Sequence, residues 1–110
     1  MPLSQTELTD EQLEVMSESA REASVFLKIL AHEARLMILC YLVDSEKSVK
    51  QLEDLLSMRQ PTVSQQLARL RLEGLVDTRR DGKTIYYSLN SDKARRIIEV
   101  IYDLFCPKEA

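Results

Sequence analysis

The sequence is poor in the residues from which small catalytic and metal centres are built. It has one histidine, His32, and two cysteines, Cys40 and Cys106, among 110 residues. Two cysteines are too few for a disulfide scaffold. No cluster of His, Cys, Asp and Glu at metal-ligand spacing is visible, so no metal site is expected. Glycine is reduced to Gly74 and Gly82, which excludes a glycine-rich phosphate loop. With only three prolines, long flexible linkers are not expected either. No nucleophile, base and acid stand in a catalytic arrangement, so the expectation is no enzyme, no catalytic residue and no cofactor. Long hydrophobic runs are also missing. The longest, Leu36–Val43, has eight residues, too few to span a bilayer. The start, Met1-Pro2-Leu3-Ser4-Gln5, is neither basic nor apolar. A cytoplasmic location without a membrane partner is the expectation.

What is present is an ordinary globular composition, 45% hydrophobic and 30% charged, at a length that suits one domain. The net charge of −3 taken alone argues against a nucleic-acid partner. Its distribution argues the other way. Between Ser57 and Lys83 the cations Arg59, Arg69, Arg71, Arg79, Arg80 and Lys83 face only Glu73, Asp77 and Asp81, a net of +3 that leaves −6 on the rest. A basic middle in an acidic chain fits a local phosphate-binding face. It fits a solvated charged surface equally well.

Periodicity and caps predict the elements. Thr9-Asp10-Glu11-Gln12 reads as a capping box opening a helix near Asp10, with Leu13, Met16, Ala20, Ala23, Leu27 and Leu30 at helical spacing. A second helix is predicted over Glu33–Val43, apolar all round and so buried on every side. His32, at its start, reads as a turn or capping residue. Ser48-Val49-Lys50-Gln51 is a second capping box, followed by a short helix with Leu52, Leu55 and Leu56 inward. Gln60-Pro61 opens a fourth helix, proline being well placed in a first turn. Val63, Leu67, Leu70 and Leu72 supply its apolar positions, and Gly74 stops it. Val76, Thr78, Ile85, Tyr86, Tyr87 and Leu89 favour strands around a turn at Arg80-Asp81-Gly82-Lys83. Asn90-Ser91 caps a last helix over Asp92–Phe105, with Ala94, Ile97, Ile98, Ile101, Leu104 and Phe105 as its apolar face, ended by Pro107.

The predicted architecture is mainly α with a β-hairpin wing: four helices, two strands and a last helix, with a helix-turn-helix ahead of the wing. Ser57-Met58-Arg59-Gln60 is a tight connection of the kind that joins helix-turn-helix units. The outward face of the fourth helix carries Gln60, Thr62, Ser64, Gln65 and Arg69. Such groups fit the major groove and hydrogen-bond base edges; glutamine can pair bidentately with adenine. Arg79, Arg80 and Lys83 on the hairpin would meet the adjacent backbone or minor groove. Each position taken singly also suits a plain solvated helix or hairpin. Their ordered combination favours duplex DNA as partner.

Four stretches carry a wider resemblance: Leu30-Ala31-His32-Glu33-Ala34-Arg35-Leu36-Met37-Ile38-Leu39, Gln60-Pro61-Thr62-Val63-Ser64-Gln65-Gln66-Leu67, Leu70-Arg71-Leu72-Glu73-Gly74-Leu75-Val76 and Arg80-Asp81-Gly82-Lys83-Thr84-Ile85-Tyr86-Tyr87-Ser88-Leu89. Together they resemble the ArsR family of bacterial repressors, over roughly Ala23 to Phe105. The resemblance implies a winged helix-turn-helix that forms a homodimer through its first and last helices and sets two reading helices in successive major grooves of a near-palindromic operator. The apolar face of the last helix agrees with a dimer. The expected organisation is one domain over 1–110, with 1–9 flexible, the helix-turn-helix at 48–74, the wing at 75–89 and the dimerisation helix at 91–106.

Many members of that family bind metals through Cys-x-Cys at the start of the third helix. Those positions here are about Ser48 and Lys50, and the last helix has no histidine for the family's second site. The pair Cys40 and Cys106, the latter in Leu104-Phe105-Cys106-Pro107, is instead similar to that of the sulfide- and persulfide-responsive repressors of the SqrR, BigR and HlyU type. The resemblance implies that these two residues sense persulfide or other reactive sulfur species as inducer, through a disulfide or polysulfide bridge within one subunit that weakens operator binding. Local chemistry leaves the matter open. Attack on a persulfide needs a thiolate, Cys40 lies in an apolar run that disfavours one, and two buried hydrophobic thiols would read the same way. Bridging the second helix to the last would strain the dimer contact, and about 1–3 kcal/mol of differential stabilisation changes affinity by one to two powers of ten. Two other readings remain: a metal-responsive repressor with unrecognised ligands, and a winged-helix protein-interaction module without DNA. Salt-dependent duplex binding separates the last, and metal titration the other.

Overall fold

A computed structural model describes residues 7–107, so positions 1–6 of the segment expected to be flexible lie outside the described residues. The elements run α1 (Asp10–Leu30), α2 (Glu33–Asp44), β1 (Lys47–Ser48), α3 (Val49–Leu56), α4 (Gln60–Leu72), β2 (Val76–Asp81), β3 (Thr84–Leu89) and α5 (Asp92–Phe105). The chain divides after Leu30 into two units, the first holding α1 and the second everything from Ala31 on. No described helix is long and apolar enough to cross a membrane.

The start of α1 is fixed by the expected capping box. The Thr9 amide donates to Gln12 Oε1 at 2.8 Å and the Gln12 amide donates to Thr9 Oγ1 at 3.1 Å, satisfying two of the donors a helix start leaves free. Asp10 and Glu11 in its first turn and Lys28 in its last complement the helix dipole. Leu13, Val15, Met16, Val25 and Leu27 along it are exposed.

In the second unit the core is built from Ile38, Leu39 and Leu42 of α2, Leu52 and Leu56 of α3, Val63, Leu67 and Leu70 of α4, and Ala94 and Ile98 of α5, closed by Leu75, Val76 and Leu89. Three expectations about apolar positions need correction. The helix α2 is not buried on every side: Met37 is 38% exposed and Cys40 and Tyr41 are half-buried. Its neighbours in the chain cover only part of its circumference, and the remaining stripe lines a groove. Leu55 is 46% exposed because it too faces that groove. Leu72 is 82% exposed. At about 100° per residue it lies some 160° around α4 from Leu70, on the opposite side from the buried stripe.

Between α3 and α4 the chain turns at Ser57, which holds φ 53°, ψ 40°. That left-handed conformation suits glycine and strains a residue with a Cβ. Ser57→Gly relieves about 1–2 kcal/mol of that cost and gives back about 0.5–1 kcal/mol to glycine's backbone entropy, so a net stabilisation of about 0.5–1 kcal/mol is expected, read as a higher urea midpoint at unchanged slope. An unchanged or lower midpoint would show that no strain is held there. At the far end of α4, Gly74 (φ 77°) completes a Schellman motif. Its amide donates to Arg71 O and that of Leu75 to Leu70 O, both at 3.0 Å, with Leu70 and Leu75 both buried as that motif favours.

The wing is an antiparallel hairpin in register from Val76↔Leu89 to Asp81↔Thr84. The turn is tighter than the four residues expected. Arg80 and Asp81 stay in the ladder, and Gly82 (φ 63°) with Lys83 makes the reversal. A third strand, β1, has no forerunner among the predicted elements: Lys47 and Ser48 pair with Tyr87 and Tyr86, giving the sheet order β1-β3-β2. Two residues offer no alternation to read. The helix α5 starts at Ser91, whose Oγ accepts from the Ala94 amide at 3.1 Å. It ends at Cys106, extended at φ −86°, ψ 136°, as a residue before proline should be. The architecture is a winged helix-turn-helix.

Candidate nucleic-acid interface and cysteine groove

The outward face of α4 follows from its buried one. With Val63, Leu67 and Leu70 inward, the positions of Thr62, Gln65 and Arg69 fall within an arc of about 60° on the opposite side. All three are exposed. Gln60 and half-buried Ser64 lie on the flank, where Gln60 Nε2 donates to Ser64 Oγ at 2.6 Å. Arg69 is paired along the helix with Glu73, 3.0 Å away. Sequence reasoning missed one tie: Arg35 Nη1 of α2 donates to Gln66 Oε1 of α4 at 3.0 Å, so the reading helix is fastened to the helix that carries Cys40.

Arg80, Lys83 and Arg79 of the wing are exposed, but Arg79 is occupied. Its Nε donates to Glu46 Oε2 at 3.1 Å and its Nη2 to Glu46 Oε1, while its guanidinium lies 4.8 Å from the Tyr86 ring centroid. That hydrogen-bonded guanidinium holds the Glu46 carboxyl below its usual range. A duplex phosphate at Arg79 would have to compete with Glu46. Glu46→Gln is expected to steepen the salt dependence of duplex binding by about one unit of log K against log salt, the effect of one added phosphate contact. An unchanged slope would mean that Arg79 meets no phosphate.

The end of α2 is held by two cations. Lys47 Nζ donates to Ser45 O at 3.1 Å, Ser45 Oγ at 2.6 Å and Tyr41 O at 3.4 Å. Arg95 Nη1 of α5 donates to Val43 O at 2.9 Å. Both satisfy carbonyls a helix terminus leaves free and complement its dipole. Ser48 and Lys50 are likewise engaged, Ser48 as the cap of α3 and Lys50 in a 3.2 Å pair with Asp54. His32 holds the N-cap position of α2 without a side-chain cap bond.

Cys40 on α2 and Cys106 just beyond α5 are both free and half-buried. They line one groove of about 750 Å³ between α2, α3 and α5, with Met37, Leu55, Ile98 and Tyr102 in its walls. Burial pushes the Cys40 thiol up from its ordinary value, and negative charge on Cys106 adds to the effect. Burial disfavours the ion, and a second thiolate nearby disfavours it further. Alkylation of Cys40 is therefore expected to lag behind a free cysteine at neutral pH and to keep rising with pH after the free thiol has levelled off. Rates measured from pH 7 to 11 by mass spectrometry check this; a profile matching the free thiol contradicts it. The same shift makes the folded state hold its proton longer than the unfolded one. Its contribution to stability is present below the unfolded thiol's range and is lost as pH rises through the folded one.

Residues 32–78 match the family described as bacterial regulatory protein, arsR family. The chain is 53% identical to the biofilm growth-associated repressor of Agrobacterium fabrum, over 88% of its own length and 83% of that protein's. Among solved structures, the transcriptional repressor BigR of Xylella fastidiosa aligns with a TM-score of 0.80 at 44% identity, covering 88% of this chain and 98% of that one. Reduced HlyU of Vibrio cholerae aligns with a TM-score of 0.80 at 41% identity, covering 86% and 99%. An exposed polar face on α4, a cationic wing and likeness along most of the chain agree: the protein is a DNA-binding transcriptional regulator, not an enzyme, and belongs to the arsR family of bacterial regulatory proteins, in the branch of winged-helix regulators that includes BigR and HlyU.

Proposed function

We propose that the chain is a homodimeric repressor of a near-palindromic operator, released when persulfide or another reactive sulfur species bridges Cys40 to Cys106 within one subunit. The observation that carries the switch is that the chain's two cysteines, 66 positions apart in sequence, line the same groove. One thiol sits on α2 and the other at the end of α5, so a bridge would tie together two elements that no covalent bond otherwise joins. That a relative has been solved in a form described as reduced fits a thiol-dependent state in this branch.

DNA contact is assigned to Gln60, Thr62, Ser64, Gln65 and Arg69 of α4 and to Arg79, Arg80 and Lys83 of the wing, with base reading by Thr62 and Gln65. The dimer is supported by apolar side chains that a lone chain leaves in water. On α5 these are Val100, Leu104 and Phe105, the last 79% exposed; on α1 they are Leu13, Val15, Val25 and Leu27. Apolar surface of this extent is usually covered by a partner. Titration of an operator duplex with reduced and persulfide-treated protein tests the reading. Salt-dependent binding by the reduced form and its loss on treatment are expected. Binding indifferent to treatment would remove the sulfur switch, and no binding at low salt would remove the repressor.

A further inference from the structure

The strand β1 is made of the two polar residues that are buried among those described: Lys47 is 9% exposed and Ser48 7%. Ser48 is accounted for as the cap of α3. The lysine needs another reason, because desolvating an ammonium carries a cost that an apolar side chain of equal length does not. Each hydrogen on its Nζ has an acceptor: Ser45 Oγ at 2.6 Å, Ser45 O at 3.1 Å and Tyr41 O at 3.4 Å. A buried charge held in this way is a poor source of net stability, but its directional bonds fix where the chain lies. By its side chain Lys47 belongs to the end of α2. By its backbone it belongs to the wing, since Lys47 and Ser48 pair with Tyr87 and Tyr86 of β3, and Tyr86 pairs in turn with Arg79 of β2. The third strand reaches no further. From Arg80 to Ile85 the hairpin has only its own two strands. At about 3.4 Å per residue Lys83 stands about 10 Å beyond the Tyr86 pairing, so turning the base by about 10° moves the tip by about 2 Å. A shift of that size breaks a bond of about 2.7–2.9 Å to a phosphate unless the side chain is reordered.

We infer that Lys47 is a positioning residue for DNA binding: by tying β1 to the carbonyl end of α2 it aims the hairpin so that Arg80 and Lys83 reach phosphates, and it does so without touching DNA itself. This rests on the proposed contacts of the wing. A direct role for Lys47 is opposed by its burial, the side chain being 11% exposed, and by the engagement of its ammonium with Ser45 and Tyr41. The neighbouring Glu46 bonds Arg79, so two consecutive side chains fasten the base of the wing, one to α2 and one to β2.

The test uses the full chain and a duplex of about 30 base pairs, long enough for two half-sites a helical turn apart, recovered from a random-sequence pool by the unaltered protein. The steepness of log K against log salt counts phosphate contacts at about 0.9 each. It is measured for Lys47→Met, which keeps the length of the side chain and removes its donors, and for Arg80→Ala with Lys83→Ala, alone and added to Lys47→Met. The wing substitutions are expected to lower the steepness by roughly 2 units per subunit. Lys47→Met should lower it by about as much, and the three substitutions together no further. If Lys47→Met loses the circular dichroism of the unaltered chain, Ser45→Ala takes its place. It removes one acceptor of the ammonium from an exposed residue, and should lower the steepness by at least about half a unit. Losses that add would mean that Lys47 meets phosphate directly. They overturn the inference, as does a steepness unmoved by Lys47→Met or by its replacement, and in either case the wing contacts stand. A steepness unmoved by the wing substitutions in the unaltered chain removes those contacts, and the inference with them.

Discussion

Persulfide treatment is expected to weaken operator binding of the reduced protein by about one to two powers of ten, and Cys40→Ser or Cys106→Ser should each abolish that response. The size follows from what a bridge can do. It links α2 to the residue after α5, across a groove whose walls otherwise meet through side chains. Displacement of α2 reaches the reading helix by a short route, because Arg35 of α2 holds Gln66 of α4 at 3.0 Å. A dimer on successive major grooves tolerates little change in the spacing of its two helices. Serine nearly preserves the size of cysteine and cannot be bridged, so either variant should bind like the reduced protein before and after treatment. If both variants still release DNA, the sulfur acts elsewhere.

Two neighbouring positions on α4 should fail in opposite ways. Leu67 is fully buried and Gln65 is exposed. Leu67→Ala removes a packed side chain and leaves a cavity, for a loss of about 2–5 kcal/mol. Against a total of about 5–15 kcal/mol for a domain, that brings the fold near its threshold. Gln65→Ala should change stability by less than about 0.5 kcal/mol. It should nonetheless weaken specific binding by about 1–3 kcal/mol for each base pairing it removes, twice over if both subunits read the site. Urea unfolding and duplex titration of both variants separate the roles. A Gln65→Ala protein that is unstable, or that binds its operator at full strength, would contradict the assignment.

Elements announced by local chemistry were legible in the sequence. The capping boxes at Thr9 and Ser48, the cap at Ser91, Pro61 in the first turn of α4, Gly74 and Gly82 at positive φ, and Pro107 after α5 mark ends that the structure places where the residues imply. What escaped depends on neighbours distant in sequence. Nothing local to Lys47 and Ser48 says that Tyr86 and Tyr87 will pair with them. Leu55 and Met37 are apolar at helical spacing, and only the position of α5 decides that they line a groove. On α4 the exposure of Thr62, Gln65 and Arg69 followed from periodicity, whereas Leu72, read as inward, and Ser64, read as outward, did not. The engagement of Arg79 by Glu46, 33 positions away, did not. The cysteines were visible as a pair only through resemblance; that they share a groove is a matter of tertiary structure.

The proposed switch requires that one subunit's two cysteines become joined when the operator is released. Intact-mass and peptide mass spectrometry of persulfide-treated protein, taken while operator release is followed in the same sample, decides whether they do. The expected product is a linked peptide pair containing Cys40 and Cys106, lighter by a pair of hydrogens and heavier by one sulfur mass for each extra bridging atom, accumulating in step with release. Release of DNA while both cysteines stay unmodified, or a link formed only between subunits, would contradict it.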